Sequence, residues 1–401
     1  MTRFLDRRLA AVAGLALVLS LASAARQQAV AATFTVIDHA GPAGLYEVNE
    51  SWSARAVDAN RDGCQDVWIG YHDQGGKLWQ GNCAGSYTRI APGAWPRRNA
   101  EGRIPDRHEC DWADVDHNGL PDAACAAGRG GDNQVKHGKD NELWLQTAVN
   151  TFVEVGTQWG MGDLCGRSHY LRFLEANGDG WVDLVVGNAP PRPVTGDPCD
   201  DPANGLPNEE SKLFLNVAGQ RFQQAPASFG IGGYWGVRCL EVVDWNRDGW
   251  QDLLACSQEG LKLFRSNAGN GFTNISASIG LTATNYSDAD LADLDSDGDL
   301  DLTAIVWERL VYRLTSGGRL GSAVTIRTFQ GGRALAVGDA DGNGTPDVYA
   351  LLAKLQAGIN SDDVLLLNGG LRFTALAVPP AGGMGDAVVA LDGDADHERA
   401  E

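Results

Sequence analysis

The sequence predicts an all-β chain built from repeated four-stranded units, and three observations carry that expectation. The first is a nonamer, DANRDGCQD at 58–66, that returns as DVDHNGLPD (114–122), EANGDGWVD (175–183), DWNRDGWQD (244–252), DLDSDGDLD (293–301) and DADGNGTPD (339–347). The second is what surrounds it. An apolar strand such as LEVVDW precedes each loop, a second such as DVWIG or DLVVGN follows, then a third (KLWQ, ELWLQ, KLFLN, VLLLN) and a fourth (NTFVEV, QRFQQA, LRFTALA). The third is the absence of any window with sustained helical periodicity, in a chain with 51 glycines among its 401 residues. Loop starts lie 56, 61, 69, 49 and 46 residues apart, which rules out a nonapeptide β-helix and fits the blades of a β-propeller. A degenerate loop, DGDADHERAE, starts 53 residues further on at Asp392, so about seven blades are expected, the last incomplete in this chain.

Taken in order, the chain opens with Arg3, Arg7 and Arg8, an apolar run at 9–21, and the small-residue pattern Ala22-Ser23-Ala24. That is the layout of a secretory signal peptide spanning 1–24, with a second small-residue cleavage site ending at Ala32. No later apolar run approaches the ~20 residues a spanning helix needs. The propeller is expected over 33–401. Residues 32–45 (ATFTVIDHAGPAGL) match a fourth strand and so precede blade 1 as a spare outer strand. In a closed ring such a strand completes the last blade and hides its edges. The last blade contributes only a first strand at 386–391 and part of a loop, which reads either as a truncated seven-bladed ring or as irregular closure.

Within each nonamer, oxygen-bearing side chains fall at positions 1, 3, 5 and 9 around a glycine at position 6. Crowded carboxylates repel one another unless something positive sits among them. A hard cation with 6–8 oxygen ligands, as calcium takes, suits the spacing better than magnesium. An EF-hand would need Glu at position 12 and flanking helices, and neither is present. The loops resemble those of the FG-GAP/VCBS repeat family, which includes the integrin α-subunit propeller, over essentially all of 33–401. The resemblance implies about six structural Ca²⁺ ions. Their ligands would be Asp58, Asn60, Asp62 and Asp66; Asp114, Asp116, Asn118 and Asp122; Glu175, Asn177, Asp179 and Asp183; Asp244, Asn246, Asp248 and Asp252; Asp293, Asp295, Asp297 and Asp301; and Asp339, Asp341, Asn343 and Asp347. Glu175 departs from the usual Asp. The seventh loop has His397 in place of the glycine and is not counted as a site. Four ligand-position carboxylates in the fifth loop and three in each of the others nearly equal the formal charge of −20. That charge also argues against nucleic acid or an anionic membrane as partner.

Eight cysteines in an exported chain favour disulfides. Cys110 and Cys125 stand at −4 and +11 from their loop start, Cys239 and Cys256 at −5 and +12, so each pair faces across the first and second strands in one shared register. Cys64–Cys83 and Cys165–Cys199 follow as local pairs.

Three positions before the loop starts stand Arg55, Asp111, Arg172, Glu241, Asp290 and Ala336. First strands line a propeller's channel, so inter-blade ion pairs are expected here, with a polar axial pocket as the rival reading. The longest connections, 126–142 and 188–210, are the expected recognition surfaces. Trp95, Trp159, Trp181, Trp235 and Trp250 suit either sugar stacking or blade packing. No H-E-x-x-H, G-x-S-x-G or Walker motif occurs. The reading is a secreted or cell-surface binding and adhesion module, monomeric, for a glycan or an extracellular protein. The rivals are a polysaccharide lyase or hydrolase on a propeller scaffold, and a scaffold part of a longer chain.

Overall fold

The computed structural model describes residues 51–71, 75–91, 94–95, 104–127, 141–163, 166–189, 210–232, 236–257, 259–281, 286–329, 331–352 and 363–377. Among them are six antiparallel four-stranded sheets, each taking its strands in chain order from the axis outward, and one small hairpin inserted in blade 5. The first strands are Ser51–Val57, Arg107–Ala113, Ser168–Leu174, Val237–Val243, Tyr286–Ala292 and Gly332–Gly338. Each of the first five touches the first strand of the next blade, which places all six side by side as the inner wall of a propeller. Six blades thus lie among the described residues, where the sequence predicts about seven over the whole chain. The spare strand at 32–45 and the last first strand at 386–391 lie outside the described residues.

Second strands are apolar on both faces because blades pack on both sides. Asp122–Ala127, Asp183–Asn188, Asp252–Ser257 and Asp301–Val306 are buried at every position. The core is divided accordingly into five inter-blade layers. Leu254 and Cys256 of blade 4 meet Ala289, Leu302 and Ala304 of blade 5, for example, and Leu184 and Phe214 of blade 3 meet Ala124 and Leu143 of blade 2. Blade 1 carries a further apolar set, Val67, Tyr71, Trp79 and Tyr87.

Every first strand breaks register with its second strand at the same place. One extra residue sits six positions before each loop start: Trp52, His108, His169, Arg238, Ser287 and Arg333. A bulge re-aims a side chain and bends the strand, so these are six bulges at one level of the inner wall.

Candidate metal centre and the channel wall

Each loop is closed by its own backbone. In five of them the position-1 carboxylate accepts the N–H groups of positions 5 and 6, as Asp58 does from Asp62 at 3.1 Å and Gly63 at 3.0 Å, and Asp114 from Asn118 at 3.0 Å and Gly119 at 2.8 Å. Asp244, Asp293 and Asp339 repeat the pattern. Glu175, one carbon longer, instead takes the N–H groups of Asn177, Gly178 and Gly180. The position-6 glycine is set by conformation rather than space: Gly63 has φ +88° and Gly119 φ +92°, and a Cβ would meet nothing within 4 Å at either. Position 4 also lies at positive φ, although it is Arg61, His117, Arg247 or Ser296 in four of the loops.

Asp66, Asp122, Asp183, Asp252, Asp301 and Asp347, at position 9, are fully buried or nearly so. One oxygen of each accepts the position-2 N–H and the other an N–H from the end of the third strand or just beyond it. Asp122 takes Val115 at 2.9 Å and Gln146 at 2.7 Å; Asp252 takes Trp245 at 3.0 Å and Ser266 at 2.7 Å. All six do the same. This aspartate pins the loop to its own blade, a role the ligand pattern did not reveal. Burial pushes its carboxyl up, against the pull of those N–H bonds and with help from neighbouring carboxylates, to about 7 for Asp122 and Asp183 and about 6 for Asp66, Asp252, Asp301 and Asp347.

The donor set fits a hard cation. Carboxylate oxygens converge within 4.8 Å of one another in three loops: Asp114, Asp116 and Asp122; Asp293, Asp295 and Asp297; Asp339, Asp341 and Asp347. In blades 1, 3 and 4 an asparagine takes position 3, with its amide on the position-5 carboxylate (Asn60 to Asp62, 2.8 Å). Asp295 Oδ1 is buried and has no hydrogen-bond partner among the described residues, an orphaned acceptor in the side chain that converges with Asp293 and Asp297. Burial raises the Asp295 carboxyl, and Asp297 and Asp293 add to the rise.

Adjacent loops also touch. Arg61 Nε donates to Gly119 O at 3.1 Å; the His117 ring stacks on Trp181 with centroids 3.9 Å apart; Arg247 Nη2 lies 3.8 Å from Asp293 Oδ2. From the other side, Gln146 and Asn216 donate their amides to Ala59 O and Val115 O, and Asn368 to Leu294 O. Trp181 is therefore a loop-packing residue, and Trp250 lies against Gly178 and Gly269 in the same way. Trp95 is buried in the layer between blades 1 and 2, and Trp159 packs between blades 2 and 3. Trp235 lies outside the described residues.

Among the described residues there are three disulfides: Cys64–Cys83, Cys110–Cys125 and Cys239–Cys256. The last two join residues directly opposite in the first-to-second strand ladder. Cys165 and Cys199 lie outside the described residues, as do most of the 126–142 and 188–210 connections.

On the inner wall, the side chains five and three positions before the loop reach forward to the next first strand, whose inner edge has no strand partner. Glu109 and Asp111 accept the N–H groups of Leu171 (3.2 Å) and Phe173 (2.8 Å). Asp288 accepts that of Leu335 at 2.9 Å, and Asp290 that of Val337. The carboxylates thus cap an edge that would otherwise leave donors unpaired. The expected ion pairs form in one half of the wall: Arg55 meets Glu109 at 2.6 Å and Asp111 at 3.7 Å, while Arg172 meets Glu109 at 2.8 Å and Glu241 at 2.7 Å. Burial works against the charge on Arg55, but Glu109, Glu241, Asp111 and Asp288 outweigh it and hold the guanidinium above its usual range. The expectation of inter-blade pairing does not extend to Asp290, and Glu109 and Asp288 were missed because they stand two positions away from the ring first considered.

Residues 176–255 and 244–304 match the FG-GAP-like repeat family, over the stretch that holds the loops of blades 3, 4 and 5. The chain thus carries FG-GAP-like repeats over 176–304, within a β-propeller whose six described blades follow one plan. No curated protein matches it in sequence. Among solved structures it is similar to an Agrocybe aegerita lectin that recognises non-reducing terminal N-acetylglucosamine, at 16% identity and TM-score 0.53, covering 87% of this chain and 85% of that one. It is also similar to BBS1N in complex with ARL6DN, at 11% identity and TM-score 0.48, over 84% of each chain. Among the described residues, no helix is long and apolar enough to cross a membrane.

Proposed function

We propose that this propeller is an exported, calcium-stabilised binding module whose ligand is a glycan or an extracellular protein. The observation that carries the metal part is one donor spacing repeated in six loops, three of which bring their carboxylates within 4.8 Å of one another, with the orphaned Asp295 oxygen in one of them. Asp or Glu at position 1, Asp or Asn at positions 3 and 5, and the outward lone pairs of the position-9 Asp would hold Ca²⁺, which neutralises each cluster and fixes the loop. The ions act on stability; repeating a site around a ring suits holding blades together.

A binding role is supported by the fold, and the lectin of similar fold makes a glycan the first ligand class to try. We further propose cleavage after Ala24, a Cys165–Cys199 bond, and a seventh blade that takes 32–45 as its outer strand and 386–391 as its first. The disulfides suit an oxidising compartment. Chelation is the direct test. EDTA should lower the melting temperature by more than about 10 °C, and calcium should restore it; an unchanged melt removes the metal. A glycan array in calcium then tests the ligand class: a blank from folded protein turns attention to protein partners, and new reducing or unsaturated ends from a polysaccharide would make it an enzyme.

A further inference from the structure

The channel contains a cavity whose walls carry both signs of charge at different levels. It is lined by Arg55, Glu109, Arg172 and Glu241 on one side and by Ser287, Asp288 and Asp290 on the other, with Arg238 and Arg333 from the flanking blades. Arg238, Ser287 and Arg333 are three of the six bulged residues, so the bulges present two guanidiniums and a hydroxyl at one level. One and three residues further along the blade 5 strand stand Asp288 and Asp290.

These two aspartates differ from their counterparts in blade 2. Glu109 and Asp111 cap the next strand and are also paired with arginine. Asp288 and Asp290 cap the next strand in the same way, but their remaining bonds are to the N–H groups of Ala289 and Leu291, and among the described residues no ion pair joins either to a cation. Glu241 raises both further by repulsion. Across the ladder from Asp290 lies Thr303, fully buried, whose hydroxyl has no hydrogen-bond partner. Blade 5 therefore holds an acid pair without its cation beside a polar atom without its bond.

We propose that this cavity binds a small zwitterion with a primary ammonium and a carboxylate a few bonds apart, as in a free α-amino acid. The ammonium, a three-donor group, is taken by Asp288, Asp290 and Glu241. The carboxylate faces Arg238, Arg333 and the Ser287 hydroxyl. A bare divalent ion fits less well, because the acids of this wall do not converge as those of the loops do. The inference is independent of the loops and of the surface ligand proposed above.

The test is isothermal titration of the calcium-saturated protein with L-alanine, ethylammonium and propionate, which separate the zwitterion from either charge alone. Alanine should bind at least about tenfold more tightly than the other two, the worth of one charged hydrogen-bonding partner. Asp288→Asn with Asp290→Asn should abolish alanine binding; each amide keeps one oxygen that can accept an N–H from the next strand, and circular dichroism checks that the variant folds. Arg333→Gln, at an exposed residue, should weaken alanine and leave ethylammonium unchanged. The proposal is overturned if no probe binds, if the three bind alike, or if the double variant binds alanine as the parent does.

Discussion

The two ends of the first strands follow opposite rules. At the loop end, all six blades repeat the same turn, the same glycine φ and the same doubly bonded aspartate. At the channel end, the same six strands carry Ser, Glu, Tyr, Cys, Asp and Ala five residues before the loop. Within that variety, blades 2 and 5 place an acid pair in identical positions, and only blade 2 surrounds it with arginines. The loop end joins neighbouring blades through the same turn six times over. The channel end shares a capping task but leaves each blade free to differ, which is where specificity can reside.

The largest effect should come from the loop end. Asp252→Ala strips the acceptor from two buried N–H groups, those of Trp245 and Ser266, and should cost about 2–6 kcal/mol. Urea unfolding measures it; a loss within about 0.5 kcal/mol would mean the aspartate serves only a metal. Next is Arg172→Gln, which leaves Glu109 and Glu241 without that guanidinium and should cost about 3 kcal/mol at pH 8 by the same method. An equal loss from Asp288→Asn would erase the contrast between blades 2 and 5, since removing an unpaired charge there should instead stabilise.

The buried acids of both blades have a pH signature. Burial pushes Glu109 and Asp288 up to about 8 and Asp290 to about 7. Because these folded-state values exceed those of the unfolded chain, their stabilising contribution is complete below about pH 4 and is lost as pH rises through 7 to 8. With calcium saturating, the melting temperature should therefore fall between pH 6 and pH 8.5, and the Asp288→Asn, Asp290→Asn variant should make that slope shallower, with Glu109 accounting for what remains. A parent slope that is flat would place these acids in a better-solvated channel. The smallest effect is expected from His117→Ala, which loses a ring stack between the loops of blades 2 and 3 and should cost about 1 kcal/mol, visible as a lower melting temperature.

Much of the loop end could be read from the sequence, because its determinants are local: a carboxylate, a glycine and an apolar strand at fixed spacing. The Cys110–Cys125 and Cys239–Cys256 registers followed from the same spacing. The channel end was legible only in part. Arg55 and Arg172 were seen as inward charges, but the bulges at His108 or Ser287 have no composition of their own. The strand-capping role of Glu109 and Asp288 exists only once the neighbouring blade supplies an unpaired edge. Asp122 likewise looked like a ligand alone, since its bond to Gln146 spans residues far apart in the chain.

Counting bound calcium by equilibrium dialysis tests the central claim most directly. Six loops with one donor set predict about six ions per chain, released by EDTA together with a fall in melting temperature. Fewer than one ion per chain at millimolar calcium, with the melt unmoved, would contradict the account and leave the loops as hydrogen-bonded turns.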